Sequence, residues 1–425
     1  MFIVFSLAVV LAQDPGHGPQ PLQLRAVYQM AERSNQRIAA AGALAEAVRS
    51  RAPGVRRPPD PQLQLGIMNY ALPEWRAMDA VGMTQLQVMQ MLPVAGKLGL
   101  AGRAAELSAD AEQERAVAIR WDVRVQAAMV FYDLYVTERS LEIDRATLRL
   151  LQDVLRTAEA MYRVGEGRQA DVLRAQVEIA RMAQDTLRMS SMRVAMAARL
   201  SALLNGAPVI GSPVLPAFTE AVPAHADVAA AASLGRPMLR AGQREVDAAG
   251  ARTSLVRRDI WPDLTLGVSY GQRPGMDGTE RMGSVMLGAS LPVFARSRQL
   301  RMRDEASAMQ RMAQADLDAM RAETAAGIAE AHANLVRART LAATYRTTLL
   351  PQAEAATESA LASYRLGRVD LMTVLDNRMG VNRYRKELAA LEAEEGKAWS
   401  ELEMLTGREL IASVSGGEVA ARRVP

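Results

Sequence analysis

The chain repeats itself, and that limits its fold more than any other feature. Residues 22–207 and 227–407 carry the same landmarks in the same order, about 200 positions apart. Pro61-x-Leu63-x-Leu65-Gly66 returns as Pro262-x-Leu264-x-Leu266-Gly267, and Leu92-Pro93-Val94 returns as Leu291-Pro292-Val293. Tyr162-Arg163-x-Gly165 with Val172-Leu173 returns as Tyr364-Arg365-x-Gly367 with Val374-Leu375. Four ordered matches define a tandem duplication. They predict two structural repeats, flanked by residues 1–12 as a signal segment and 408–425 as a flexible polar tail.

Each repeat reads as helix, strand, strand, long helix, tight turn, helix. From Lys97 to Val164 there is no proline, and the only glycines, Gly99 and Gly102, lie near the start. At 1.5 Å per residue such a helix is about 100 Å long. Leu134, Leu141, Leu148, Leu155 and Tyr162 recur every seven residues, as do Ile328, Leu335, Ala342 and Leu349 in the second repeat. A seven-residue spacing specifies coiled-coil packing against neighbouring helices. The returning helices carry heptads of their own: Leu173, Ala180, Leu187 and Val194 in one, Val374, Val381 and Leu388 in the other. They close on Asn205-Gly206 and Thr406-Gly407, where glycine supplies the cap. Pro351 interrupts the second rod and predicts a local kink.

The four strands alternate at period two over about nine residues, the length a tilted strand needs to cross a bilayer. Leu63, Leu65 and Ile67 oppose Gln62, Gln64 and Met68, while Leu86, Val88 and Leu92 oppose Gln85, Gln87, Met89 and Met91. Leu264, Leu266 and Val268 oppose Thr265, Gly267 and Ser269, while Val285, Leu287, Ala289 and Leu291 oppose Ser284, Met286, Gly288 and Ser290. An apolar face of this kind meets lipid or a protein core, and the alternation alone fits both. Four strands cannot close a barrel, and open edges in hydrocarbon leave backbone groups unsatisfied. Membrane strands therefore require oligomerisation. Three copies would bring twelve strands and twelve long helical segments around one axis.

Composition narrows the chemistry. With no Cys and only His17, His225 and His332, the chain offers no thiolate nucleophile and no zinc cluster. A net charge of +4, with Arg interleaved among Asp and Glu, is no nucleic-acid footprint. No phosphate loop, H-E-x-x-H or G-x-S-x-G motif is present, so no enzymatic activity and no cofactor are expected. Phe2–Leu11 is apolar but too short to span a membrane as a helix, and Val10-Leu11-Ala12 fits the small-residue rule for signal cleavage, which predicts export.

In this order and spacing, the duplicated landmarks resemble the outer-membrane efflux channels of the TolC type, over nearly the whole chain from about residue 22 to 407. The segments Gln90–Leu98 and Trp261–Gly267 leading to Tyr270-Gly271-Gln272-Arg273-Pro274 most resemble the branch serving heavy-metal efflux pumps. The resemblance implies a mostly α fold with a small β part. In it, a long coiled-coil α-barrel continues four strands contributed to a trimeric transmembrane β-barrel. It implies a homotrimer in outer-membrane lipid with a long periplasmic helical part, working with a periplasmic adaptor and an inner-membrane pump, and no nucleic-acid partner. Metal cations are the implied cargo. Multidrug efflux and type I secretion are the alternatives, and a periplasmic coiled-coil structural protein is the reading from another class. Members often carry lipid on an N-terminal Cys; this sequence has none, so signal cleavage without a lipid anchor is expected.

By the same resemblance, Arg163, Val164, Gly165 and Glu166, with Arg365, Leu366 and Gly367, are the adaptor-docking tips. Asp171 and Asp376 match the pore-constriction carboxylates, with Tyr162, Tyr364 and Arg368 as gate ties. The family's second acid on the last helix is replaced here by Thr373. Met68, Met83, Met89, Met91 and Met286 fall on the polar side of the strands, which the resemblance turns toward the lumen. Their thioethers could pass Cu(I) or Ag(I), the alternative being flexible filler. No resident metal site is expected.

Overall fold

The computed structural model describes residues 21–78, 81–219, 221–275 and 278–411. The expected signal segment, and the expected tail beyond Ile411, lie outside them. In chain order the elements are β1 (Leu22–Gln23), α1 (Leu24–Ser34), α2 (Gln36–Val55), β2 (Gln62–Met68), β3 (Tyr70–Ala71), β4 (Arg76–Ala77), β5 (Met83–Leu92), α3 (Lys97–Arg163), α4 (Gln169–Leu203) and β6 (Pro213–Val214). They continue with α5 (His225–Gly235), α6 (Pro237–Arg258), β7 (Leu264–Gly275), β8 (Gly278–Ala289), α7 (Gln299–Thr344), α8 (Leu350–Arg365) and α9 (Leu371–Thr406). Both repeats thus have the helix, strand, strand, long helix, turn, helix order that the landmarks predict.

Two compact units share these elements. One takes residues up to Gln36, Arg120–Ala230 and Gly327 onward; the other takes Arg37–Ile119 and Ala231–Ala326. The first unit is helical apart from the short parallel pair β1 and β6. A buried apolar cluster in it joins Leu151, Val154 and Ala158 of α3 to Met182 of α4 and Leu371 and Leu375 of α9. The second unit holds a four-stranded antiparallel sheet in the order β2-β5-β7-β8.

The α3 rod runs unbroken for 67 residues, and i,i+3 pairs such as Arg139–Glu142 line its surface. Its counterpart is the same length but passes through a π-helical stretch, Tyr345–Leu349, just ahead of Pro351. Proline lacks an N–H and crowds the carbonyl one turn back, so the wider turn absorbs both and the helix continues.

Four helix ends share one solution. The N–H groups of Glu166, Gly206, Arg368 and Arg408 reach back five residues to the carbonyls of Met161, Ser201, Ser363 and Glu403. This is the Schellman closure, and it needs a left-handed residue before the donor or at it. Gly165 (φ 80°), Asn205 (φ 57°), Gly367 (φ 66°) and Gly407 (φ 65°) supply it.

The heptads divide. Leu134, Leu141, Ile328, Leu335, Ala342, Val374 and Val381 are buried, as a coiled-coil seam requires. On α4 the expected seam is corrected: Leu173, Leu187 (70% exposed) and Val194 stand in the open, and Ala175, Met182 and Leu200 are the buried positions. A returning helix that packs on one side within its own chain can bury one stripe only, so the second stripe is left without cover.

Candidate functional site

The sheet presents two chemically distinct faces. Antiparallel partners share a face, so register sorts the side chains. Leu65 pairs with Leu86, Leu86 with Tyr270, Val88 with Val268 and Leu266 with Leu287. The opposite face aligns Gln64 with Gln87, Gln87 with Ser269 and Ser269 with Ser284. Exposure is the reverse of a water-soluble sheet: Leu65 is 69% and Leu287 75% exposed, while Ser269 is 5% exposed. An apolar face open along four strands, backed by a polar face that is buried along the central strand β7, suits apolar surroundings outside and water inside.

The methionines singled out from sequence lie on that polar face. Met68 sits opposite Met83, Met91 opposite Thr265, and Met89 and Met286 flank Gly267 in one row. A Cβ on Gly267 would touch Met286 Cε at 3.4 Å, and one on Gly271 would meet Met83 Sδ at 3.1 Å. The two glycines thus provide the floor over which the thioethers spread. Met282, opposite Gly271, belongs to the same face and was missed; alternation continued back from Met286 would have found it.

Where the sheet meets α3, Lys97 is only 7% exposed. Its Nζ donates to the Trp261 carbonyl and to Asp263 Oδ1, both at 2.8 Å, and lies 3.9 Å from Asp259. Burial raises the Asp259 carboxyl above its ordinary range, against the pull of Lys97. One ammonium thus joins the first repeat to the start of β7. The sequence shows Lys97 only as one of three lysines and carries no sign of this pairing.

The two tips, Arg163–Glu166 and Arg365–Arg368, are exposed throughout, as docking surfaces need to be. Around them the expected gate residues separate. Tyr162 is exposed, but Tyr364 is 3% exposed within the apolar cluster, and its hydroxyl has no partner there. Burial raises the Tyr364 phenol, and the charge of Asp171 adds to the shift. Asp171 is half-buried in the first turn of α4, where the helix dipole favours a carboxylate. Asp376 and Arg368 are exposed.

Asp370 was missed from sequence, although Asp followed by Thr373 at the head of an apolar helix is an N-cap pattern. Its Oδ1 accepts from the Thr373 N–H at 3.1 Å and from the Thr373 hydroxyl at 2.8 Å. Those bonds, followed by the nearby Arg174 charge, hold its carboxyl below the usual range. With Gly165 set on Gly367, the tips invert in charge: Glu166 matches Arg368, Arg168 matches Asp370 and Arg174 matches Asp376. Asp171 matches Thr373, so the two acids chosen from sequence are not equivalent positions.

The second unit also holds a groove of about 610 Å³ between α6 and α7, lined by Met238, Met302, Met309, Met312 and Met320. Among the described residues, no group of three or more His, Cys, Asp or Glu side chains could hold a metal ion. No described helix is long and apolar enough to cross a membrane.

Known proteins share this arrangement. A family model described as outer membrane efflux protein matches residues 228–408, the second repeat. The cobalt-zinc-cadmium resistance protein CzcC of Cupriavidus metallidurans is 22% identical over 411 residues, covering 93% of this chain and 92% of that protein. Among solved structures, the outer-membrane channel OprN superposes with a TM-score of 0.79 at 19% identity, covering 92% of this chain and 91% of that one. CusC, described in terms of transmembrane channel formation, gives 0.79 at 17% identity, covering 94% and 96%. The outer membrane protein VceC of Vibrio cholerae gives 0.78 at 18% identity, covering 91% and 96%. At these identities the structural likeness is one of fold.

Proposed function

We propose that this chain, whose second repeat matches the outer membrane efflux protein family, works as a homotrimeric conduit, carrying substrate from an inner-membrane pump and periplasmic adaptor to the exterior. It is a channel protein and not an enzyme. The observation that carries the reading is the sheet that leaves its apolar face open along four strands and gathers glutamine, serine and methionine on the other face, which is buried along β7 at Gly267, Ser269 and Gly271. Buried in lipid, a face of that kind gains roughly 25 cal/mol per Å² over its exposure to water.

The sheet order leaves one edge of β2 and one edge of β8 open. In hydrocarbon each unpaired backbone group costs several kcal/mol, so β8 of one copy pairs with β2 of the next. Three copies then close twelve strands. The uncovered stripe of Leu173, Leu187 and Val194 on α4 supports the same assembly, because a neighbouring copy supplies the cover its own chain lacks. The tips Arg163–Glu166 and Arg365–Gly367 are the adaptor-docking surfaces. Asp171 and Asp376, joined by Asp370, line the periplasmic gate, with Tyr162 and Arg368 at its rim and Tyr364 beneath it.

Heavy-metal cations are the cargo this reading favours. The relative CzcC, named for cobalt, zinc and cadmium resistance, aligns over nearly the whole chain, and soft thioethers cluster on the polar face of the sheet. Purified protein in a planar bilayer should give stepwise, cation-selective conductance. A folded trimer that never conducts would refute the conduit. A deletion strain should be sensitised to metals; sensitisation to dyes and antibiotics alone would replace metals by organic cargo.

A further inference from the structure

Three histidines occur in the whole chain, and the fold brings two of them together. His225 is the first residue of α5, and His332 lies on α7; their ring centroids are 5.7 Å apart, with the planes at 89°. Both belong to the same compact unit. His332 is half-buried and His225 exposed. In a chain this poor in histidine, a facing pair drawn from distant parts of the sequence is a constellation the fold has built.

A second observation fixes the chemistry of one ring. His332 Nε2 lies 3.1 Å from the Pro223 carbonyl oxygen. A carbonyl only accepts, so Nε2 carries a proton, and Nδ1 is the nitrogen left to offer a lone pair to a cation. A histidine that donates one nitrogen to a backbone carbonyl and offers the other to a metal is the usual arrangement around metal ions. The same carbonyl lies two residues before His225, so the bond that orients His332 also holds the segment carrying His225. One face of α7 holds that segment a second time, through Arg339 Nη2 donating to the Thr219 carbonyl at 2.8 Å.

We propose that His225 and His332 form a two-histidine site for a borderline divalent cation, such as Zn²⁺, Ni²⁺ or Co²⁺, with water completing the coordination. Imidazole suits these ions, and the set has no thiolate or carboxylate to favour softer or harder ones. Metal–nitrogen bonds of about 2.1 Å at a tetrahedral angle put two ligating rings roughly 5 Å apart, centroid to centroid. The observed 5.7 Å is within reach of a small rotation of the exposed His225 side chain. A bound ion would tie the first turn of α5 to α7, a link the hydrogen bonds of the preceding segment already prepare. The site does not depend on what the conduit carries.

The test is calorimetric titration of the full-length protein, purified in detergent without a polyhistidine tag, with ZnCl₂ alone near neutral pH. One ion per chain is expected. His225→Gln should weaken binding at least about 10-fold, as loss of a metal ligand or its support does, and His17→Gln should leave it unchanged. His225 is exposed, so its replacement leaves the fold intact, and circular dichroism checks this. His332→Gln should abolish the same binding. Absence of stoichiometric binding by the wild type, or binding that survives the His225→Gln, His332→Gln double variant, overturns the proposal.

Discussion

The ring of Tyr132 lies directly against the backbone of Gly396. A Cβ built on that glycine would fall 2.2 Å from Tyr132 Cζ and 2.3 Å from Cε1, and Tyr132 is fully buried. The contact joins α3 of the first repeat to α9 of the second. Glycine in a helix ordinarily costs about 1 kcal/mol relative to alanine, so Gly396→Ala would stabilise an open site. Here overpacking of roughly 1–3 kcal/mol, at the upper end for a clash with a buried ring, exceeds that gain. Gly396→Ala should therefore lower the thermal midpoint, and Tyr132→Leu in the same chain should recover part of the loss. An unchanged or raised midpoint for Gly396→Ala alone would show that the helices separate freely.

A pH dependence follows from Glu403, near the end of α9. Its Oε1 accepts from the N–H groups of Leu410 and Ile411 at 2.7 and 2.8 Å, but burial outweighs these bonds and raises the carboxyl. A folded-state value above the unfolded one means that the folded state holds the proton longer. Stability attributable to this group is then full below the unfolded value, near 4.3, and declines as pH rises through the folded value. Glu403→Gln keeps an oxygen for the two N–H groups and removes the buried charge. Its midpoint should exceed wild type at pH 7 to 8 and converge with it at about pH 4. A variant less stable than wild type at neutral pH would mean that the two charge-assisted bonds dominate.

The polar face of the sheet yields a prediction about cargo. Met68, Met83, Met89, Met91 and Met286, with Met282, are each replaceable by leucine at a volume cost usually below about 1.5 kcal/mol. If their sulfurs conduct soft cations, a strain carrying the six replacements should grow less well on silver and copper while tolerating organic compounds as wild type does. Equal silver tolerance, with equal amounts of protein in the outer membrane, would leave these methionines as packing alone.

The duplication, the long rods and the alternation of the strands were readable because each is a period that runs through many residues and survives local substitution. The sheet faces followed for the same reason: once Leu65 and Leu287 point one way, Gln64 and Met286 must point the other. What escaped detection lies in contacts between distant residues. Lys97 reaching Asp263, His225 meeting His332 and Tyr132 covering Gly396 leave no spacing in the sequence. The α4 seam failed for a different reason. Leu173, Leu187 and Val194 do form an apolar heptad, but periodicity identifies an apolar stripe without saying which chain covers it. Asp370 is different again: Asp three residues before Thr373 at the head of an apolar helix is a legible cap, but capping alone does not mark an acid as part of a gate.

The tips carry the prediction closest to function. Asp370 and Arg174 interact within one chain, and Asp171 lies close enough to Tyr364 for its charge to raise the phenol. Opposite charges at matching positions, Arg168 against Asp370 and Arg174 against Asp376, mean that alternating tips around a trimer would attract rather than repel. The acids left unmatched, Asp171 foremost, would then set the field in the opening. Rings of carboxylates select for cations. Asp171→Asn with Asp376→Asn should move the bilayer reversal potential under a KCl gradient toward zero, and Asp376→Asn alone should raise conductance by loosening an attractive contact. Arg174→Glu should do so more strongly, because it converts attraction to Asp370 into repulsion, an effect that weakens with ionic strength since both side chains lie at the surface. Unchanged selectivity in the double variant would move the gate away from these acids, and unchanged conductance in Arg174→Glu at low salt would remove the charge inversion from the mechanism.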